Sequence, residues 1–128
     1  MFQSIIKEDN KIIFTETHTN VDGDEICTFI IGYGYGIFGG LTSSELSADK
    51  YNKYNSAVAV IGYKAVNSPD ITIDGVTYKQ QATEPTIDKS RLKYTCTWRG
   101  TTYAISGVSK KYTVNGEFAG YRVYSSND

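Results

Sequence analysis

The sequence predicts an all-β protein: a small antiparallel β-barrel with one long Gly-rich loop and a short helix. The composition favours strands, because eleven Tyr and five Phe accompany many Val, Ile and Thr, and such side chains suit a pleated surface. Turn signals also follow one another at short spacing with no long helical pattern between them, which is typical of barrels. The 128 residues are about one domain in length, so we expect a single domain over residues 1–128.

Five turn signals divide the chain into strands. The first is Glu8-Asp9-Asn10, and the others are Asp22-Gly23, Asp74-Gly75, Arg99-Gly100 and Asn115-Gly116. Pairs that contain glycine supply the positive φ angles that two-residue hairpin turns need. The strands predicted around these turns are 2–7, 11–17, 25–31, 71–73, 76–80, 92–98, 101–108, 111–114 and 118–124, and a further strand is expected over 57–63.

Strand periodicity is clearest after residue 91. Leu92, Tyr94, Cys96 and Trp98 alternate with polar residues, which places one face of the strand in a core and the other in water. Tyr94, Trp98, Tyr103 and Tyr112 are interleaved with lysine and arginine, a pattern that can bind single-stranded nucleic acid, but Tyr94 and Trp98 lie on the alternating apolar face and are therefore expected in the core. Cys96 and the other cysteine, Cys27, lie in apolar runs without a C-x-x-C spacing, so we expect reduced thiols.

The regular succession of short strands and turns is interrupted at residues 32–40, which hold five glycines in nine residues. Thr42 and Glu45 then have the spacing of a capping box, which predicts a short helix over about 43–54. The sequence thus predicts a loop-and-helix insertion at about 32–54, and long excursions of this kind are usually functional. The candidate contact residues in it are Gly32, Tyr33, Gly34, Tyr35, Gly36, Phe38, Gly39, Ser43, Ser44 and Glu45.

Catalytic and cofactor motifs fail on spacing or context. Gly34-x-Gly36-x-x-Gly39 matches a dinucleotide fingerprint as a string, but no βαβ unit surrounds it. The acidic residues of 20–25 lack the full spacing of a calcium loop. His18 is the only histidine, and no Gly-x-Ser-x-Gly elbow is present. We therefore expect no enzyme activity, no cofactor and no metal.

Charge is unevenly distributed although the net charge is −1. Residues 1–49 carry eight acidic side chains against Lys7 and Lys11. The stretch 89–112 has no acid and predicts a basic face formed by Lys89, Arg91, Lys93, Arg99, Lys110 and Lys111. Such blocks can be solvated by chance, can be complementary faces for head-to-tail self-association, or can face a polyanion.

Targeting signals are not expected in this sequence. The first six residues lack the basic start of a signal peptide, and no stretch approaches the roughly 20 apolar residues of a membrane span. We therefore expect a soluble protein that is made in the cytoplasm and makes no membrane contact.

The order of these elements resembles a known family. The Gly-rich stretch leads into Ser43-Ser44-Glu45, a strand at Val58–Tyr63 follows, and a motif then leads into a final hairpin. That motif reads Leu92-x-Tyr94-x-x-x-Trp98-x-Gly100-x-x-Tyr103-x-Ile105-x-Gly107-Val108. Over residues 25–124 the chain is similar to the small head–tail connector proteins of tailed bacteriophages and prophages, the head-completion or stopper group.

The resemblance implies a structural virion protein in the phage neck, assembled in the cytoplasm of the bacterial host. It implies a homo-oligomeric ring of about six or twelve copies between the portal or adaptor and the tail proteins, with a long loop that reaches the DNA channel and makes non-specific contact with packaged DNA. The loop Gly32–Tyr54 is the candidate. Three alternatives stay open: a small soluble β-barrel such as a phage-encoded inhibitor of a host protein or a ligand-binding module, a tail-completion protein, and a capsid decoration protein.

Overall fold

The computed structural model describes residues 10–87 and 92–126. The strands are β1 (Lys11–Thr19), β2 (Glu25–Tyr35), β3 (Ser56–Ala65), β4 (Ile71–Ile73), β5 (Val76–Tyr78), β6 (Leu92–Trp98), β7 (Thr101–Tyr112) and β8 (Phe118–Ser125). Six of them close into an antiparallel barrel in the order β1, β2, β3, β8, β7, β6, and β4 and β5 form a separate hairpin. The predicted all-β barrel is confirmed. The strand expected over 2–7 lies outside the described residues.

One face of each strand fills the barrel. In β6, Tyr94 and Cys96 are buried in the core cluster, and Leu92 and Trp98 pack against it, as the alternation predicts. Both cysteines are free thiols. Burial raises the pKa of the Cys96 thiol to about 12, so this side chain stays protonated at neutral pH.

The turns lie where the glycine-containing pairs predict them. Gly23, Gly75, Gly100 and Gly116 all have φ between 79° and 86°, which a side chain rarely tolerates. One strand boundary is wrong: residues 101–108 and 111–114 do not form two strands. They join in a continuous β7 up to Tyr112, because β8 pairs along its whole length and the irregularities are absorbed as bulges.

The two ends of the barrel are closed by different segments. Where β1 begins, the Phe38 ring stacks on Tyr103 at 3.9 Å between centroids and contacts Trp98 at 5.7 Å. Where β1 ends, the segment 66–87 between β3 and β6 covers the opening, with Ala82 packed against the core. The first closure depends on an aromatic side chain, and the second on hydrogen bonds from the Gln81 and Ala82 backbone amides to the Glu16 side chain.

The Gly/Tyr stretch is not a loop at its start, which corrects the prediction for Gly32, Tyr33, Gly34 and Tyr35. These residues form the end of β2. A Cβ atom at Gly34 would lie 2.5 Å from Val60 Cγ1, and one at Gly32 would collide with the Tyr63 hydroxyl. Side chains from β3 already fill the inward positions, so packing requires glycine there and the tyrosines point outward.

The predicted helix over 43–54 is also too long. The α-helix α1 covers Ser43–Leu46, and a separate 3₁₀ turn covers Asp49–Tyr51. Ser47 caps the first helix, and the segment offers no continuous apolar face to prolong it, since Leu46 is exposed. The capping box is confirmed, because Thr42 accepts a hydrogen bond from the Glu45 amide and Glu45 accepts one from the Thr42 amide.

Candidate functional site

The excursion, defined here as residues 36–55 between β2 and β3, carries the remaining loop candidates. Gly36 stands at its start, and its amide donates to the Asn10 carbonyl. Gly39 pairs with Ala57 through two backbone hydrogen bonds of 3.0 Å. Phe38 is buried in the barrel end, and Ser43 and Ser44 are exposed on α1. The candidates therefore do not form one surface.

Glu45 fixes the excursion to the outside of β8. Its carboxylate accepts hydrogen bonds from the Arg122 guanidinium, at 2.8 Å to Oε1 and 3.1 Å to Oε2, and from the Tyr124 hydroxyl at 2.8 Å. With the Thr42 amide, both oxygens are fully used. The Glu45 carboxylate is thus satisfied as an anion, and it is a structural clamp, not an acid poised for chemistry.

Electrostatics favour the charged form of this clamp. The hydrogen bond from Arg122 is the main reason that the pKa of Glu45 falls from its ordinary value of 4.5 to about 2. The same bond raises the pKa of Arg122, and burial together with the bond to Glu45 raises the pKa of Tyr124 to about 12. At neutral pH the three side chains are therefore held as an ion pair with a neutral phenol.

Aromatic stacking holds the second half of the excursion. The Tyr54 ring stacks on Tyr124 with 4.8 Å between centroids, and Tyr51 contacts the same ring at 5.2 Å. Gly107 of β7 leaves room for the Tyr54 hydroxyl, which a Cβ atom there would meet. The excursion is consequently packed against the barrel wall by both polar and apolar contacts.

The predicted basic face is divided. Arg99 lies in the turn between β6 and β7 and donates to the Asn10 side chain at 3.1 Å. Lys110 and Lys111 lie at the far end of β7, and Lys93 points outward from β6 opposite Thr17 of β1. Lys89 and Arg91 lie outside the described residues. The structure separates Arg99 from Lys110 and Lys111 by nearly the whole length of β7.

A buried acid that the sequence analysis did not single out lies inside the barrel where β1 ends. Glu16 is fully buried and accepts hydrogen bonds from the Gln81 and Ala82 amides and contacts His18 Nε2 at 2.6 Å. His18 also meets the Phe29 and Tyr78 rings edge to face. In β1, Ile12 and Phe14 alternate with outward-facing residues, and Glu16 and His18 continue the same inward face. This alternation was the sequence signal that Glu16 and His18 point inward.

A projecting hairpin end, residues 110–120, carries exposed apolar side chains. β7 pairs with β6 up to Ala104, and β8 pairs with β3 from Tyr121 onward. In these ladders residues 111–120 therefore pair only with one another, and Lys110 pairs with Tyr121. Val114 is fully exposed, and half or more of Tyr112 and Phe118 is exposed, with their rings 5.9 Å apart. The apolar residues beside Asn115-Gly116 were the available sequence signal.

An open groove lies on the other side of the barrel. It has a volume of about 600 Å³ and is lined mainly by Val21, Ile26, Val76, Tyr78 and Leu92. The turn from β1 to β2 beside it exposes three acids and contains no base: Asp22, Asp24 and Glu25. We call this feature the acidic-turn groove. Its walls are mostly apolar but also include the polar residues His18, Thr19, Asn20 and Gln81, and its rim at this turn is negative.

Within residues 10–87 and 92–126, no group of three or more His, Cys, Asp and Glu side chains is placed to hold a metal ion. No helix in the same ranges is long and apolar enough to cross a bilayer. Comparisons with protein-family models, with curated proteins and with solved structures find no match to this chain.

Proposed function

We propose that the chain is a structural virion protein of a tailed bacteriophage or prophage: a head–tail connector of the head-completion or stopper group. In this proposal its copies form a ring between the portal or adaptor and the tail, in the neck of a virion assembled in the bacterial cytoplasm. The observation that carries it is the projecting hairpin end, whose Tyr112, Val114 and Phe118 expose adjacent apolar surface. Exposed patches of this kind mark protein–protein contacts.

The order of elements supports the same conclusion. The Gly-rich stretch leads into a helix capped by Thr42, and β3 follows before the last three strands. This is the order on which the resemblance to connector proteins depends. Because ring interfaces are heterologous, each copy needs two different surfaces, and the barrel offers the hairpin end and the acidic-turn groove.

The excursion is the candidate for contact with DNA in the channel, but it is packed against the barrel and is not a free loop. Lys50 and Lys53 are exposed on it, and phosphate contacts of lysine are independent of base sequence. The clamp at Glu45 and the stack at Tyr54 hold these lysines on the barrel wall. Contact with packaged DNA would therefore come from a fixed surface or follow release of the clamp.

Co-purification with the neighbouring virion proteins tests the proposal. The full chain is incubated with portal rings, adaptor and tail proteins from the same phage or prophage genome, and separately with host lysate. The expected result is a complex with the portal or adaptor assembly. Stable capture by one host protein, with no binding to any neck protein, would support the inhibitor alternative and overturn the connector proposal.

A further inference from the structure

The hairpin end and the acidic-turn groove have complementary chemistry. The hairpin end presents Val114 and Phe118 beside the exposed Lys111. The groove presents apolar walls that include Val76, half of which is exposed, beside the exposed Asp22. The two lysines Lys110 and Lys111 outnumber the acid Glu117 on the hairpin end. An apolar tip with net positive charge fits a mostly apolar groove with a negative rim, since opposite charges orient and select the contact.

The positions of the two features exclude contact within one barrel. In the order of strands around the barrel, β1 lies opposite β8 and β2 lies opposite β7. β6 runs antiparallel to both β1 and β7, so β1 and β7 run in the same direction and finish at the same barrel end. The hairpin end therefore lies at the height of the β1–β2 turn but on the opposite side.

Two different surfaces at one height on different sides of the barrel are compatible with a closed ring. A rotation about an axis parallel to the barrel axis keeps every feature at its height and turns the hairpin side of one copy toward the groove side of the next. A contact between different surfaces related by such a rotation closes into a ring when the rotation is a whole fraction of a full turn. A two-fold dimer would instead need one self-complementary surface.

We propose that the hairpin end of one copy inserts into the acidic-turn groove of the next copy, with Val114 near Val76 and Lys111 near Asp22. The inference rests on the proposed ring and names the interface that forms it. The occupant of the groove is a second copy of this chain. A small ligand or a host peptide in the groove would be a different outcome of the test below.

Disulfide trapping between two differently tagged chains tests the contact. Both chains carry Cys27→Ser, and the remaining Cys96 is fully buried in the core. One chain carries Val114→Cys and the other Val76→Cys, and they are mixed at high concentration with a mild oxidant. The control replaces Val76→Cys by Ile61→Cys, a similarly exposed position on the wall of β3.

The expected result is mixed-disulfide formation at least tenfold faster for the 114–76 pair than for the 114–61 pair. Adding Lys111→Glu to the first chain should slow the 114–76 reaction, and Asp22→Lys in the second chain should restore it. Equal rates for the two pairs overturn the interface, and so does a groove that is blocked by a co-purified ligand or peptide. The two proposals can fail separately. If the chain forms rings that bind the portal but the 114–76 disulfide does not form, the connector function stands and this interface is excluded. If the disulfide forms but the chain binds neither portal nor adaptor, the interface stands and the connector function is excluded.

Discussion

At the scale of single residues, glycine in β2 acts through its missing side chain and not through flexibility. Gly32 and Gly34 alternate with Tyr33 and Tyr35, so the stretch has the period of a strand with glycine inside and tyrosine outside. The high glycine content masks this period, because it is also typical of loops. Only the position of β3, whose Val60 and Tyr63 side chains fill the space beside Gly34 and Gly32, shows that this stretch is a strand and not a loop.

Replacing Gly34 by alanine tests this role. The added methyl group would lie 2.5 Å from Val60 Cγ1, a stiff β-branched side chain, so we expect a loss of about 1–3 kcal/mol in the free energy of unfolding. Gly39→Ala is the matched control, since no atom lies within 4 Å of its Cβ position, and its effect should stay within about 0.5 kcal/mol. Urea denaturation measures both. Equal effects of the two changes would contradict the interior position of Gly34.

Glu45→Gln tests the clamp and its dependence on pH. The pKa of Glu45 is lower in the folded chain than its ordinary value, so its charge stabilises the fold above about pH 4.5 and this contribution is lost as the pH falls towards 2. At pH 7 we expect a loss of about 2 kcal/mol, because a charged hydrogen-bonded pair is reduced to a neutral contact. Urea denaturation between pH 7 and pH 2 should show the difference from wild type shrinking in acid.

The control for this experiment is Glu117→Gln, an exposed acid on the β7–β8 turn, which should change stability little at any pH. A Glu45→Gln protein as stable as wild type at pH 7 would contradict the clamp. A difference that stays constant down to pH 2 would show that the lost stability does not come from the carboxylate charge.

At the scale of elements, the closure of the barrel end by segment 66–87 depends on one acid. The Glu16 carboxylate accepts hydrogen bonds from the Gln81 and Ala82 amides, and Glu16→Gln replaces this carboxylate by a neutral amide, which is a weaker acceptor. We expect hydrogen exchange at these two amides to accelerate roughly tenfold or more, the equivalent of about 1.4 kcal/mol. Glu25→Gln, an exposed acid on β2, is the control. Unchanged exchange at Gln81 and Ala82 would show that other contacts hold the segment.

Local signals in the sequence were sufficient for much of the fold. The Asp-Gly, Arg-Gly and Asn-Gly turns, the inward face of β6 and the Thr42–Glu45 capping box needed only neighbouring residues. The clamp was not predictable, because Glu45 and Arg122 are 77 positions apart and meet only after β3 and β8 pair. The basic residues failed as one face for the same reason: strand direction separates Arg99 from Lys110 and Lys111.

At the scale of the whole molecule, the barrel has two surfaces that its own contacts leave exposed. The hairpin end and the acidic-turn groove lie on opposite sides at one end, and the excursion is fixed along the wall of β8. A monomer gains nothing from exposing Tyr112, Val114 and Phe118 together, whereas an assembly can bury them. The arrangement fits the proposed connector, in which each subunit contacts copies of itself and neck proteins.

Electron microscopy of the full chain, alone at high concentration and bound to the portal assembly of its own genome, tests whether the chain forms the proposed ring. We expect closed rings whose copies meet side to side, with each hairpin end against the next barrel, and the Val114→Asp protein should fail to form them. A protein that stays monomeric under both conditions, without association to portal or adaptor, would overturn the proposed ring.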